Sequence, residues 1–185
     1  MLVKMDDKEY WSKFSGRLEP KHQLQVQQWL EFYVPKKVLE VGCGLGHYMF
    51  AFEDHGIDVK GFDISAEAIE KCPYNSIKQH LKVGSVTKIP YSEKFDFVLC
   101  YDVMEHIALP DIEPAFEEIK RVSSKYVLFG ITFINNPNYS QDPTHKSGKF
   151  REWWERVIAE KGFKILKVPL HWMFTDQFIL CEVKE

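Results

Sequence analysis

At 185 residues, with 45% hydrophobic and 28% charged side chains, the chain has the size and balance of one globular domain, which weighs against a disordered tail, a fibrous repeat or a two-domain enzyme. Its 24 basic and 27 acidic residues leave a net charge of −3, so nucleic-acid binding would need a local basic patch working against the overall field. Aromatic residues reach 15%, more rings than packing a core of this size requires.

In chain order, Val26, Trp29, Leu30 and Tyr33 recur at helical spacing and predict an amphipathic helix that Pro35 closes. Val38 to Val41 predicts a short buried strand running into Gly42-Cys43-Gly44-Leu45-Gly46. Leu45, Met49 and Phe52 mark the next helix, stopped by Gly56. Asp58 to Asp63 predicts a second strand, and Ser65 is placed to cap the helix that begins at Ala66. Leu81 to Val86 and Phe95 to Tyr101 predict the third and fourth strands. Ile112, Ala115, Phe116, Ile119 and Val122 form a helical stripe, with Pro114 tolerated in its first turn. Lys125 to Phe133 is the expected fifth strand, and the polar stretch from Ile134 to Gly148 is a loop long enough to carry function. Phe150, Trp153, Trp154, Val157 and Ile158 predict a helix ended by Gly162, with both tryptophans on its apolar stripe. Strands near Phe163 to Val168 and Gln177 to Val183 complete the chain.

Alternating strands and helices predict an α/β fold: a Rossmann-like seven-stranded sheet, mostly parallel, with helices on both faces and an antiparallel last strand. Ligands of such sheets bind beyond the carboxyl ends of the strands. One domain over 1–185 is expected, with an amino-terminal helical cap at 1–35, a cofactor-binding core at 36–185 and a substrate loop at 134–148. The apolar runs fall short of the roughly 20 residues of a membrane-spanning helix, and the charged amino terminus offers no secretory core. Cys43, Cys72, Cys100 and Cys181 lack the spacing of a disulfide framework or zinc site, which points to a reducing cytoplasm.

The glycine loop admits a close backbone approach at a helix N-terminus. A dinucleotide fingerprint needs glycine at position 47, which is His47; here Gly42, Gly44 and Gly46 follow Glu40 instead. Asp63 ends the second strand 21 residues after Gly42, where a carboxylate can accept from both ribose hydroxyls.

With these features the sequence resembles the class I S-adenosylmethionine-dependent methyltransferases. Val38-Leu39-Glu40-Val41-Gly42-Cys43-Gly44-Leu45-Gly46 is similar to the family's first motif, Gly61-Phe62-Asp63-Ile64-Ser65 to its second, and Phe95 to Cys100 followed by Val103-Met104-Glu105-His106-Ile107 to its fourth-strand segment. The resemblance implies that Gly42, Gly44 and Gly46 admit the methionine part of S-adenosyl-L-methionine. Glu40 would act through the loop or the cofactor amino group, Asp63 would hold the ribose and Ile64 would pack on adenine. Ser85 and Val86 would border the adenine amino group, Ser85 replacing the common Asp, and Tyr101 joins the same cofactor set. A small-molecule acceptor is implied, methylated on a hydroxyl oxygen by a monomer or homodimer.

A hydroxyl acceptor must lose a proton. His106, and Asp142 and His145 in Gln141-Asp142-Pro143-Thr144-His145-Lys146, are the candidates; His145 and His106 are taken as catalytic, with tying down the loop as their structural alternative. The Asp102-x-x-Glu105-His106 spacing resembles the E-x-x-E-H pattern of metal-dependent ubiquinone-pathway and small-RNA O-methyltransferases, in which His145 could join a divalent ion. A hydrogen-bonded loop is the preferred reading, and no metal ligand is assigned. Tyr101-Asp102-Val103 lacks the N/D-P-P-Y/F arrangement of nucleobase amino-methyltransferases. An RNA or protein methyltransferase and a non-catalytic binding module are the alternatives. Acceptor lining is expected from Tyr10, Trp11, the loop 134–148 and the turn carrying Trp172 and Phe174.

Overall fold

The computed structural model describes residues 10–11, 18–173 and 176–183. Its helices are α1 (Pro20–Phe32), α2 (His47–Asp54), α3 (Ala66–Lys71), α4 (Ile112–Val122) and α5 (Arg151–Glu160). Its strands are β1 (Lys37–Val41), β2 (Asp58–Asp63), β3 (Leu81–Val83), β4 (Phe95–Tyr101), β5 (Ser123–Gly130), β6 (Phe163–Leu166) and β7 (Phe178–Val183). The strands form one seven-stranded sheet in the order β3-β2-β1-β4-β5-β7-β6. All neighbours from β3 to β5 pair in parallel, whereas β7 runs antiparallel to both β5 and β6.

The central strands are apolar throughout because both faces are covered, so Val38, Leu39, Val98, Leu99, Val127 and Leu128 are fully buried. On one face, Ala115, Phe116 and Ile119 of α4 and Trp154 and Ile158 of α5 pack over β4 and β5. On the other, Trp29 of α1 meets Phe52 of α2 and Phe178 of β7 at ring separations of 6.0 and 5.7 Å. Asp96 accepts from the Tyr33 hydroxyl and from the backbone N–H groups of Lys36 and Lys37, which fixes the entry of β1 beside β4. The order reverses between β1 and β4, so the loops leaving their carboxyl ends face one cleft.

Several expected boundaries move. β3 ends at Val83 instead of Val86, because the Ser85 hydroxyl accepts from Thr87 N–H and folds the chain away from the edge. β5 ends at Gly130 instead of Phe133 and β6 at Leu166 instead of Val168. Trp154 is fully buried but Trp153 is only half-buried, with the Lys149 ammonium over its ring. Trp172 does not line the cleft: it is buried beside Phe32, at a ring separation of 6.0 Å. Phe174 lies outside the described residues. All four cysteines are buried and free.

Candidate functional site

The loop after β1 is shaped by backbone bonds that side chains would obstruct. Cys43 N–H donates to Phe62 O and Gly46 N–H to Cys43 O, which curls the loop into α2. Gly42 has φ +67°, and a Cβ there would overlap the Val103 side chain. Gly46, at φ +79°, occupies the N-cap of α2 and brings no side chain to it. Glu40 supplies the missing cap from β1, its Oε2 accepting from Met49 N–H at 3.0 Å. Burial pushes the Glu40 carboxyl well above the usual range, with Asp63 adding repulsion, and the Met49 bond opposes both.

Asp63 terminates β2 beside this loop. Its Oδ2 accepts from Gly44 N–H and its Oδ1 from Ser65 N–H, each at 2.8 Å, so the carboxylate is held between the glycine loop and the start of α3. Ser65 caps α3 as expected, accepting from Ala68 N–H at 3.0 Å. Gly42, Asp63, Ile64, Ser85 and Val86 border a cavity of about 360 Å3. Ile64 is largely exposed there, an apolar side chain left uncovered at the rim, while the Ser85 hydroxyl lies 2.9 Å from that of Thr87.

A second cavity of about 540 Å3 is bordered by Glu40, Gly42, Gly44, Tyr101, His106 and His145, together with Lys21, His22 and Asn138. Tyr10, Trp11, Gly42, Asp102 and His106 border both cavities and so stand where the two meet. Gly46 borders neither; it faces Ile77 and Cys72.

Asp102 follows β4 with φ +52°, a conformation seldom adopted by residues other than glycine. Its backbone N–H donates to Gly130 O, and the carboxyl opens onto the cleft with the Thr132 hydroxyl donating at 3.3 Å. Loss of hydration at the cleft wall raises its pKa to about 6, against the Thr132 bond. Glu105 is fully buried: Oε1 accepts from Thr132 N–H at 2.6 Å, while Oε2 has no hydrogen-bond partner among the described residues. Burial first, then the Asp102 charge, raises its pKa to about 8.

The loop 134–148 folds back onto the turn Met104–His106, where Lys146 and Ser147 N–H both donate to Glu105 O. This brings His145 within 4.7 Å of His106, ring to ring. The Nδ1 of His145 faces Tyr139 O at 2.7 Å, and since a carbonyl only accepts, that nitrogen carries the hydrogen, which in the neutral tautomer leaves the lone pair on Nε2. Burial and then His145 lower the pKa of His106 to about 4, which keeps its ring neutral at physiological pH. One ligand atom from each of Glu105, His106 and His145 lies within 4.8 Å of the others, a set able to hold a divalent cation. The orphaned Glu105 Oε2 fits such an ion. Asp102 lies outside this set of three.

The expected cofactor residues other than Gly46, and both histidines, border the two adjoining cavities; Gly46 instead turns the loop into α2. The sequence reading named Asp102 only within the metal-like spacing, where the structure does not put it, and missed Thr132 and Thr144 as partners of the acidic and imidazole groups. The position of Asp102 immediately after β4 was the available signal; the threonines gave none.

Residues 39–128 match the family model described as a methyltransferase domain. The ubiquinone biosynthesis O-methyltransferase of Histophilus somni is 30% identical over 119 residues, covering 56% of this chain and 50% of that protein. A mitochondrial protein of the same name from Candida albicans is 34% identical over 144 residues, covering 72% and 40%. The chain spans about half the length of the first of these relatives and less of the second. Among solved structures, an S-adenosylmethionine-dependent methyltransferase from Clostridium acetobutylicum superposes with TM-score 0.70 at 13% identity, covering 97% of this chain and 96% of that one. Magnesium protoporphyrin IX methyltransferase from Synechocystis, solved with bound SAH, gives 0.68 at 13% identity, covering 95% and 92%. These two likenesses concern the fold alone. Over residues 39–128 the chain is thus similar to methyltransferase domains, and its fold is similar to that of solved S-adenosylmethionine-dependent methyltransferases.

Proposed function

We propose that the chain transfers a methyl group from S-adenosylmethionine to a hydroxyl oxygen of a small molecule. The observation that carries this is the meeting of two sets of residues: the glycine loop with Asp63, and the group of Asp102, His106 and His145, open onto cavities that share Tyr10, Trp11, Gly42, Asp102 and His106. Bound S-adenosylmethionine supplies an electrophilic methyl on a sulfonium. Asp63, held in place by Gly44 and Ser65 N–H, would accept from the ribose hydroxyls, and Ile64 offers an exposed apolar face to the adenine. Glu40 acts through α2, whose first turn it caps. The carboxyls of Asp63 and Asp102 give the cleft a negative field suited to a positive sulfur. Displacement at a methyl group is chiefly a matter of alignment, so Tyr10 and Trp11 over the junction would hold the acceptor and exclude water. Asp102, with its pKa near 6, and the neutral ring of His106 are suited to receive the hydroxyl proton.

Incubation with methyl-labelled cofactor and a fractionated metabolite extract should label a small molecule in an alkali-stable ether linkage. Label found only in RNA or protein would overturn the assignment, and labelled cofactor left unchanged would favour a binding module.

A second element is favoured by one specific observation, the Oε2 of Glu105, which has no partner among the described residues and stands beside two histidines. Glu105, His106 and His145 would hold a divalent cation, which would lower the pKa of a hydroxyl bound to it. Titration of the cofactor-free protein with Mg2+, Mn2+ or Zn2+ should show one site that is lost in Glu105→Gln. Absence of binding, with activity unchanged in EDTA, would remove the ion while leaving methyl transfer in place.

A further inference from the structure

We propose that Asp142 and Thr144 are positioning residues that lock His106 in the form protonated at Nδ1, so that its Nε2 lone pair is the one left to act. This deepens the proposed function, since it is that function that needs a basic nitrogen there. Thr144 donates twice to Asp142 Oδ1, from its backbone N–H at 2.8 Å and from its hydroxyl at 2.5 Å. A hydroxyl has one hydrogen, and a carboxylate can only accept. With that hydrogen directed at Asp142, the 2.8 Å approach of Thr144 Oγ1 to His106 Nδ1 leaves the threonine oxygen as acceptor and the imidazole as donor. The direction of the whole chain, from His106 to Thr144 to Asp142, follows from its acidic end.

The two histidines therefore reach the same form by different means. His145 is set by the main-chain carbonyl of Tyr139, with the Tyr139 ring stacked at 4.5 Å. His106 is set by two side chains that lie almost forty positions away, and these can be altered one at a time. Tyr10 donates to the other Asp142 oxygen at 3.4 Å, which ties the residue at the cavity junction to the acidic end of the relay. Partners of this kind fix ring orientation and basicity, and losing one commonly costs about 10–100-fold in affinity or activity.

The test is the imidazole 15N spectrum of the chelator-treated, cofactor-free protein at a pH where His106 is neutral. The parent should show His106 with a protonated Nδ1 and an unprotonated Nε2. Thr144→Val removes the acceptor at nearly constant volume and should move His106 toward the Nε2–H form, while Thr144→Ser should restore the parent pattern. The resonances of His145, anchored on the backbone, should stay in place and report that the loop is folded. Should Thr144→Val not fold, Asp142→Asn reads the same relay: its amide can donate to Thr144 and free the hydroxyl hydrogen to reverse. An Nε2–H form of His106 in the parent, or an unchanged Nδ1–H form in the folded variants, would overturn the proposal. Adding Zn2+ separates this from the cation site: if neither histidine shifts, the cation site fails while the relay is judged on the ion-free spectra alone. In turnover, Thr144→Val should lower kcat about 10–100-fold with the KM for S-adenosylmethionine unchanged, and Thr144→Ser should recover it.

Discussion

Glu105→Gln should make the ion-free protein more stable, by an amount that grows with pH. Glutamine keeps the shape of the side chain and an oxygen to accept from Thr132 N–H, and it places one unpartnered polar group where Oε2 stands now. What it removes is the ionisation. The folded-state pKa of Glu105, about 8, lies above its unfolded value near 4.5, so its stabilising protonated form is fully retained below about pH 4.5 and stability is lost as pH rises through about 8. Each unit of pH inside that window costs about 1.4 kcal/mol, which comes to about 3 kcal/mol at pH 7 relative to pH 4.5. Glutamine does not titrate, so the two proteins should be nearly equal at pH 4.5 and differ by about 3 kcal/mol at pH 7. Urea unfolding followed by circular dichroism, with chelator present across that range, measures the difference. A gap that does not change with pH, or a variant less stable than the parent at pH 7, would refute the picture of a buried, unpaired carboxyl. If an ion occupies the site, Mg2+, Mn2+ or Zn2+ should stabilise the parent alone and narrow or reverse the gap.

Gly46→Ala should destabilise by about 1–2 kcal/mol in the same unfolding assay, because φ is +79° and the new methyl would sit 2.7 Å from Ile77 Cδ1. Asp63→Asn should weaken S-adenosylhomocysteine binding about 10–100-fold by calorimetry, since an amide replaces a charged acceptor that holds Gly44 and Ser65; unchanged affinity would remove Asp63 from the ribose site. Ser65→Ala should cost about 1 kcal/mol through the lost cap of α3. Trp29→Ala should cost about 3–5 kcal/mol by emptying the space between Phe52 and Phe178; a smaller loss would mean that α1 contributes little to the core.

What the sequence disclosed and what it concealed divide along physical lines. The strands and the stripe of α4 were legible because burial on a fixed face imposes a repeat, and the glycine loop because a positive φ and close approach restrict residue type. Asp63 was found by its distance from that loop. The edge of β3 was misjudged because Ser85 bonds locally and diverts the backbone, which hydrophobic pattern does not register. Trp172 looked like a spare ring at a turn, but its burial depends on Phe32, far away in the chain. The cluster at Glu105 was visible as a spacing, yet its joining to His145 rests on Lys146 and Ser147 bonding to the Glu105 carbonyl, a long-range contact with no local signature.

The strand order also bears on how the chain can be made. β1 and β4 are central neighbours, with Val38 beside Phe97, so closing that pair requires a loop of about 60 residues. During synthesis β1, β2 and β3 emerge first, and the apolar flank of β1 that β4 will cover must wait for it. Until then the edge of Val38-Leu39-Glu40-Val41 is open, the kind of edge that pairs with other chains. The reversal that creates the cleft thus also sets the most aggregation-exposed moment of folding, and slowing translation just after β3 should lower the soluble yield.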